Sequence, residues 1–280
     1  MKFKFFIFVV CCLFHTSATF AQKITAGSFN IRYDNSGDEG NRWSQRGPVA
    51  ANLIRFHQYD VFGIQEGLQN QIEDLSKWLP EYNHYGLGRD DGKDGGEHST
   101  VFYRKDKFKL LAKGDFWLSE NPDKPGLGWD ATCCNRICSW VHLQDLKTGK
   151  KFFYFNAHFD HQGKIARVES SKLIVKKIKE IAGNTPSVFT GDLNGGHKSE
   201  WYLTLANSGL LADTYNQVKN PYANNSSFNA WGKELSGFEI IDHVFVTKGF
   251  TATRWGILTD TYHGKFVSDH FPILVDLEIK

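Results

Sequence analysis

The chain has 280 residues, which is enough for one large domain or two small ones. Hydrophobic residues make up 41% of it and charged residues 23%, as in ordinary globular proteins, and the 33 glycines and prolines are too few for a fibrous or low-complexity protein. Aromatic residues reach 15%, with 23 phenylalanines, so the chain can bury a substantial core.

The N-terminal segment 1–21 is typical of a secretory signal peptide. Lys2 and Lys4 flank the start of a short apolar run, and small residues then lead to a predicted cleavage site after Ala21. An apolar run of about ten residues is too short to span about 30 Å of hydrocarbon as an anchor. We therefore predict an exported protein, periplasmic or secreted, with one mature domain over 22–280 and no membrane insertion.

Charge and cysteine content narrow the options for the mature domain. Cleavage would leave 31 basic and 31 acidic residues, a net charge of about zero. Strong non-specific DNA binding needs a basic face, so this balance argues against it, while a local basic cleft stays open. Three cysteines remain, Cys133, Cys134 and Cys138, without a second cluster at zinc spacing. Export favours disulfides, and we expect one local disulfide or none, without a catalytic role.

Strand-like and helix-like segments alternate along the mature chain, without repeats or a linker. In chain order, the predicted elements are a strand at 24–31, a helix at 44–57, a strand at 60–65, a helix at 69–79, strands at 100–103 and 108–118, a long loop at 121–135, a hairpin of 137–146 with 151–159, a helix at 165–182, a strand at 187–190, a helix at 198–207, and strands at 240–246, 251–258 and 271–279. This order favours a layered α/β fold with mixed sheets. No Gly-rich phosphate loop follows the first strand, which argues against a nucleotide cofactor.

Asn, Glu, Asp and His residues recur at the ends of these apolar strands. Each one alone is most simply a turn or cap residue. Six such ends in one chain instead indicate polar groups converging on a stiff frame. The segments are SFNIR (28–32), GIQE (63–66), NAHFDH (156–161), GDLN (191–194), IDH (241–243) and SDH (268–270).

The donor atoms in these segments suit a hard cation. The oxygen donors are Glu66, Asp192, Asp269, Asn30 and Asn194. Carboxylate and amide oxygens favour Mg²⁺ or Mn²⁺, with Ca²⁺ also open. His158 and His270 are then expected to be acids, bases or phosphate contacts. A hard cation with carboxylates and histidines points to phosphoryl chemistry, in which an activated water attacks in line.

Taken in order, SFNIR, GIQE, NAHFDH, GDLN, IDHVF and SDHFP resemble the endonuclease/exonuclease/phosphatase superfamily of DNase I-like enzymes. The run HFDH, followed by Arg167 on a helix, is similar to a group of secreted bacterial members. The resemblance covers residues 23–280. It implies a four-layer α/β sandwich of two packed mixed β-sheets flanked by α-helices.

The resemblance also implies a divalent-metal site. Glu66 would be the principal ligand, assisted by Asn30, and Asp269 would lie near the ion. The cofactor would be Mg²⁺ or Mn²⁺, with Ca²⁺ possible, as the donor chemistry already indicates.

Five further residues receive catalytic roles from the resemblance. His158 would contact the phosphate and protonate the leaving oxygen. Asp192 would orient or deprotonate the attacking water, and Asn194 would hold a phosphate oxygen. His270 would act as a base or a transition-state stabiliser, oriented by Asp242. A carboxylate behind an imidazole fixes its tautomer and favours its protonated form, which agrees with this pairing.

Substrate contacts are expected from Asn30, Arg32, Glu97, Asp160 and Arg167. Repair-type members carry an acidic residue where Arg32 stands, so the chain resembles DNase I-like branches instead. Glu97 matches a glutamate that supports the first catalytic histidine in those branches, but it also fits a plain loop residue. Arg167 would clamp a phosphate with both guanidinium nitrogens; its alternative is an ordinary surface arginine.

Three functions follow from these patterns. The first is a metal-dependent phosphodiesterase, nuclease-like, acting on RNA or DNA. The second is a phosphomonoesterase acting on a small sugar, inositol or nucleotide phosphate. The third is a non-catalytic binding module, against which the presence of Glu66, Asp192 and His270 argues. We expect a monomer whose partner is a phosphate-ester substrate, with nucleic acid as one possibility.

Overall fold

The computed structural model describes residues 22–280, which form two mixed β-sheets packed face to face and flanked by helices. The α/β four-layer sandwich predicted from the sequence is confirmed. The predicted signal peptide, 1–21, lies outside the described residues. Among the helices of 22–280, none has the length and apolar character needed to cross a membrane.

The elements follow the predicted order, with four short strands added. The strands are β1 (Gln22–Asn30), β2 (Val61–Gln65), β3 (Tyr82–Tyr85), β4 (Val101–Arg104), β5 (Phe108–Trp117), β6 (Ile137–Asp145), β7 (Lys151–His158), β8 (Ser187–Asp192), β9 (Ala212–Asp213), β10 (Asp242–Val246), β11 (Phe250–Ile257), β12 (Thr261–Tyr262), β13 (Lys265–Phe266) and β14 (Ile273–Ile279). The helices are α1 (Trp43–Phe56), α2 (Gln69–Trp78), α3 (Lys164–Ala182) and α4 (Glu200–Ala206).

Each six-stranded sheet has one parallel pair near its centre. The first sheet has the order β11-β14-β1-β2-β4-β3 and the second β5-β6-β7-β8-β10-β9. Asn30 at the end of β1 is level with Gln65 of β2, and His158 at the end of β7 is level with Asp192 of β8. Because the carboxyl ends of parallel strands meet at one edge of a sheet, each sheet presents two of the predicted segments side by side.

The two sheets are joined beneath this edge by a buried amide network. Asn156 of β7 donates from Nδ2 to the carbonyl oxygen of Ile64 (2.7 Å) and accepts from Gln65 Nε2 (2.6 Å). Thr190 Oγ1 also donates to Asn156 Oδ1 (3.0 Å). A Cβ on Gly63 would lie 2.3 Å from the Asn156 amide, so only glycine permits this approach.

One local disulfide is present, as the cysteine count allowed. It joins the neighbours Cys133 and Cys134 in the long loop, and Cys138 is a buried free thiol in β6. Cys134 also lies beside the pocket described below.

A buried arginine holds the segment that follows β1. Arg46 of α1 is 1% exposed, and its guanidinium donates to the carbonyl oxygens of Ile31, Arg32 (2.6 Å) and Asn41 (3.0 Å). Arg32 itself has a left-handed backbone, with φ of 55°. The Arg46 contacts therefore fix an unusual turn next to the predicted site.

Replacing Arg46 with methionine should destabilise the protein by about 3 kcal/mol, because it leaves several buried carbonyl oxygens without donors. Urea unfolding followed by circular dichroism measures this change. Arg42→Met, at the exposed residue before α1, is the matched control and should change the free energy of unfolding by less than about 0.5 kcal/mol. Equal stability of the two variants would contradict the assignment.

Candidate active site

The two parallel pairs bring their polar ends to one pocket. This pocket has a volume of about 510 Å³ and lies where the edges of the two sheets meet. Eight of the predicted site residues line it: Arg32, Glu66, Glu97, His158, Asp192, Asn194, Asp269 and His270. Arg32, Glu66 and Asn194 have positive φ angles of 55°, 64° and 48°. Such strained backbone clusters at functional sites, because the surrounding structure must hold it in place.

Asn30 holds the acidic centre together. It is fully buried, and its Nδ2 donates to Glu66 Oε1 (3.0 Å) and to Asp192 Oδ2 (3.0 Å). Its amide oxygen accepts the backbone N–H of Arg32 (3.0 Å). Asn30 thus presents nitrogen, not oxygen, to the carboxylates. Asn30 in this arrangement positions Glu66 and Asp192, and its predicted roles as metal ligand and substrate contact stay predictions.

One group of side chains in the pocket fits a divalent cation. Carboxylate oxygens of Glu66 and Asp192 and a ring nitrogen of His270 all lie within 4.8 Å of one another. Burial, with the nearby charge of Asp242, raises the pKa of Asp192 to about 7. Glu66 and Asp192 supply the carboxylate oxygens that a hard cation prefers. His270 Nε2 lies 3.7 Å from Asp192 Oδ2 and Arg32 Nη1 lies 3.7 Å from Glu66 Oε2, so the two carboxylates, and not the positively charged His270, would be the ligands.

Asp269 lies in the pocket but outside that group. Its Oδ2 is 3.8 Å from Arg32 Nε, and its Oδ1 accepts from Ser268 Oγ (3.3 Å). Burial raises the pKa of the Asp269 carboxyl, while the neighbouring His270 and Arg32 act against that shift. Arg32 Nε lies closer to Asp38 Oδ2, at 3.0 Å, so Asp269 is only its longer-range partner, and the predicted place of Asp269 near the metal stays a prediction.

His270 is held as an imidazolium by the carboxylate behind it. Its Nδ1 lies 2.8 Å from Oδ2 of Asp242, which is fully buried and does not line the pocket. Burial alone would lower the pKa of His270, but the charges of Asp242 and Asp192 outweigh it and raise that pKa well above its ordinary value. Asp242 is thus a positioning residue acting through His270, in agreement with the predicted pairing.

Asp242→Asn should lower the pKa of His270, because it removes the largest of the charges that outweigh the desolvation of the buried ring. The imidazolium of the wild type persists as pH rises through neutrality, whereas the variant should lose its proton at a lower pH. NMR titration of the histidine ring signals measures the pKa of His270 in the wild type and in the variant. Asp260→Asn, beside the half-exposed His57, is the matched control and should leave the His270 signal unchanged. An unaltered His270 titration in Asp242→Asn would contradict the pairing.

His158 is in the opposite protonation state. Burial, together with the charges of Arg136 and Arg89, lowers the pKa of His158 well below its ordinary value. Its Nε2 lies 3.1 Å from Asn194 Nδ2, which donates to it, so the proton of the neutral ring sits on Nδ1. Nδ1 is buried without a hydrogen-bond partner within 22–280 and lies 3.8 Å from Glu97 Oε2. The pocket therefore offers one charged and one neutral imidazole.

Two arginines of the pocket were missed by the sequence analysis. Arg89 forms a bidentate ion pair with Glu97, with N–O distances of 2.6 and 2.9 Å. Arg136 is 5% exposed and donates from Nη2 to His161 Nδ1 (2.9 Å). Its Nε and Nη1 have no hydrogen-bond partner in the described part of the chain. No motif marks either arginine, and only their burial beside His158 reveals them.

Asp160 and Arg167 are not brought to the pocket. Asp160 Oδ1 accepts the backbone N–H groups of Gln162 (2.8 Å) and Gly163 (2.5 Å), just before α3. Arg167 stacks on Trp201 at 4.2 Å and donates to the Asp160 carbonyl oxygen (3.1 Å). Neither residue lines the pocket, although Asp160 Oδ2 lies 3.6 Å from Nε of the pocket residue Arg136. Their predicted substrate contacts stay predictions.

Comparison with known proteins settles the family. The chain matches the model of the Endonuclease/Exonuclease/phosphatase family over residues 27–270. The chain belongs to this family. Its fold and its phosphoesterase class, both predicted from the motifs, are thereby confirmed.

Solved structures of this family resemble the chain closely. A family member from Bacteroides thetaiotaomicron is 44% identical, with a TM-score of 0.90 over 92% of this chain and 96% of that chain. A mannosyl-6-phosphatase from the same organism is also 44% identical, with a TM-score of 0.88 over 91% and 99%. An uncharacterized protein of Acanthamoeba polyphaga mimivirus is 26% identical over 256 residues, which cover 85% of this chain and 92% of the relative.

Proposed function

We propose that the protein is a divalent-metal-dependent phosphomonoesterase that hydrolyses a phosphorylated sugar. The observation that carries the proposal is the buried guanidinium of Arg136, which keeps two polar nitrogens without hydrogen bonds beside His158 among residues 22–280. A buried, incompletely paired cation in a pocket is a site for an anion, and a planar guanidinium fits phosphate. The 44% identity to a mannosyl-6-phosphatase supports the sugar phosphate as substrate.

The charge of the pocket favours a terminal phosphate over a diester. A monoester carries about 1.5 to 2 negative charges at neutral pH, and a diester carries one. Nε of Arg136 lies 3.6 Å from Asp160 Oδ2 and Nη2 donates to His161, which leaves Nη1 without a partner among residues 22–280. The Nδ1–H of His158 and the charge of His270 add to the same field. A dianion therefore gains more than a monoanion from this pocket.

The size of the pocket points the same way. A volume of about 510 Å³ lies within the range of pockets that hold small ligands. Its lining combines three arginines, Arg32, Arg89 and Arg136, with four carboxylates, so it is not a uniformly basic track. Long nucleic acids draw most of their affinity from such tracks. Nuclease activity, the first function expected from the sequence, is therefore the alternative, and the substrate panel distinguishes the two.

The side chains have distinct parts in the proposed reaction. Glu66 and Asp192 would hold Mg²⁺, which when bound neutralises charge on the phosphate oxygens. Asp192 takes a proton from the attacking water, whose oxygen forms the new bond to phosphorus while the bond to the sugar oxygen breaks. Asn194 and the imidazolium of His270 stabilise the negative charge. The departing oxygen takes a proton from His158, whose protonated form is favoured by the dianionic phosphate.

A substrate panel with Mg²⁺ tests this function. We expect kcat/KM for mannose 6-phosphate or glucose 6-phosphate to exceed that for bis(p-nitrophenyl) phosphate and for single-stranded RNA by at least about 100-fold. This ratio corresponds to the free energy of one or two charge-assisted hydrogen bonds. RNA as the better substrate would overturn the proposal in favour of the nuclease.

Arg136→Met should lower kcat/KM for the sugar phosphate about 100-fold and act mainly through KM, because Arg136 binds the phosphate in ground and transition states alike. Arg167→Met, in a residue that does not line the pocket, is the control and should leave KM within about twofold. Loss of activity toward the monoester and the diester to the same degree would contradict selective binding of the dianion.

A further inference from the structure

A second group of ligand-type side chains lies on the other face of β10, away from the catalytic pocket. His243 follows Asp242 on this strand, so the two side chains point to opposite faces of the sheet. His197 comes from the segment after β8, and Asp213 ends β9. The ligand atoms of His197, Asp213 and His243 all lie within 4.8 Å of one another. None of the three lines the catalytic pocket.

The spacing of these atoms matches a tetrahedral metal site. Asp213 Oδ2 is 3.4 Å from His197 Nε2 and 3.5 Å from His243 Nδ1. Zinc binds imidazole nitrogen and carboxylate oxygen at about 2.0 to 2.1 Å, which places tetrahedral ligand atoms about 3.4 Å apart. The distances are longer than good hydrogen bonds, so a simple hydrogen-bonded triad accounts for them less well.

The lone pairs needed for a metal are available. His243 Nε2 lies 3.1 Å from the Gly195 carbonyl oxygen and donates to it, which leaves Nδ1 unprotonated and facing Asp213. His197 Nε2 is buried and has no hydrogen-bond partner among the residues of 22–280. The His243 nitrogen on the Asp213 side is therefore unprotonated, and the His197 nitrogen there has no competing hydrogen-bond partner within 22–280.

The carboxylate of Asp213 is held in place by hydrogen bonds from outside the group. Asp213 Oδ1 accepts the backbone N–H of Tyr215 (2.9 Å), and Oδ2 accepts the Tyr202 hydroxyl (2.9 Å). Outer hydrogen bonds of this kind orient the ligands of metal sites.

We propose that His197, Asp213 and His243 bind a Zn²⁺ ion separate from the catalytic metal. Two imidazoles and one carboxylate form a three-ligand zinc set, with the fourth position left to water. The side chain of His197 is 30% exposed, so water and the ion can enter on its side. The bound ion would tie the segment that carries Asn194 and Gly195 to β9 and β10.

Metal counting on the full chain tests the site without measuring turnover. The parent is Glu66→Gln, which weakens the candidate catalytic site; it is stripped with chelator, equilibrated with Zn²⁺ under non-reducing conditions that keep the Cys133–Cys134 disulfide closed, and freed of excess ion. We expect one Zn²⁺ per chain by plasma mass spectrometry. Adding His197→Gln should weaken Zn²⁺ binding at least about 100-fold.

The control adds His57→Gln to the same parent, since His57 also contacts a carboxylate, that of Asp260 at 3.1 Å. It should bind Zn²⁺ like the parent. Co²⁺ in the site should give the intense visible absorption of tetrahedral coordination, lost with His197→Gln. Zinc binding that does not depend on His197, or its absence from the parent, would overturn the site and leave the proposed phosphatase activity untouched.

Discussion

Asp192→Asn should lower kcat/KM at least about 10³-fold, because the variant removes the base that takes the proton of the attacking water. The carboxylate is 1% exposed and accepts hydrogen bonds from Asn30 and from the backbone N–H of Asn194 (2.8 Å). Its Oδ2 also lies 3.6 Å from His158 Nε2 and 3.7 Å from His270 Nε2. Asparagine keeps the size and the acceptor oxygen but cannot take up a proton.

The pH profile gives a second readout of the same group. Burial and Asp242 raise the pKa of Asp192 to about 7 in the metal-free protein, and a bound cation would lower it. The Mg²⁺-loaded wild type should therefore lose activity as pH falls through the lowered pKa of Asp192, at a pH below 7, where Asp192 takes up a proton. The residual activity of Asp192→Asn should lack this acid limb.

Asp106→Asn is the matched control, because Asp106 is exposed, lies outside the pocket and forms an ion pair with Arg104 (Nη2 to Oδ2, 2.7 Å). It should stay within about twofold of the wild type. Circular dichroism and thermal melting confirm that each variant is folded. An Asp192→Asn enzyme that keeps a tenth of the wild-type rate would rule out Asp192 as the base.

Chelation with EDTA should reduce activity at least about 10³-fold, and added Mg²⁺ should restore it. The reason is that Mg²⁺ held by Glu66 and Asp192 would neutralise negative charge on the phosphate. Glu66→Gln should raise the Mg²⁺ concentration needed for half-maximal activity at least about tenfold. Glu66 is held for this role by Asn30 Nδ2 and by the backbone N–H of Tyr33 (3.3 Å). Its left-handed backbone, with φ of 64°, sets the direction of the side chain.

Glu73→Gln, on the exposed face of α2, is the control for the loss of one carboxylate and should leave the Mg²⁺ requirement unchanged. Mn²⁺ in place of Mg²⁺ tests which hard cation serves better. Full activity after exhaustive chelation would refute metal dependence, whatever the substrate.

The sequence predicted the fold well where the residue pattern of a single segment indicates which of its side chains are buried. Strands β2 and β8 are buried along their whole length, and their continuous apolar runs predicted them to within two residues. Strand β3 was missed because Asn83 and His84 in it face solvent, so it shows no alternation. Strands β9, β12 and β13 have two residues each, and their partners, not their own sequence, make them strands.

The site residues also differ in whether a local pattern predicts them. Glu66, His158 and Asp192 were predictable because a strand end fixes where its last side chain lies, whatever the distant structure does. Arg136 was not, because its place depends on packing against His161, 25 residues away, in an irregular loop. Asp160 shows another limit of the sequence: an aspartate that accepts backbone N–H groups in a turn and one that binds a ligand are identical in sequence.

The buried bridge made by Asn156 has a consequence for how the enzyme fails. Glu66 belongs to one layer of the sandwich and Asp192 to the other, and Asn156 crosses between the layers directly below them. A displacement of about 1 Å between reacting groups can cost about 100-fold in rate. A substitution among the apolar residues between the two sheets that shifts one sheet against the other should therefore abolish activity while the melting temperature hardly changes. Turnover is thus more sensitive to the alignment of the two sheets than any measure of unfolding.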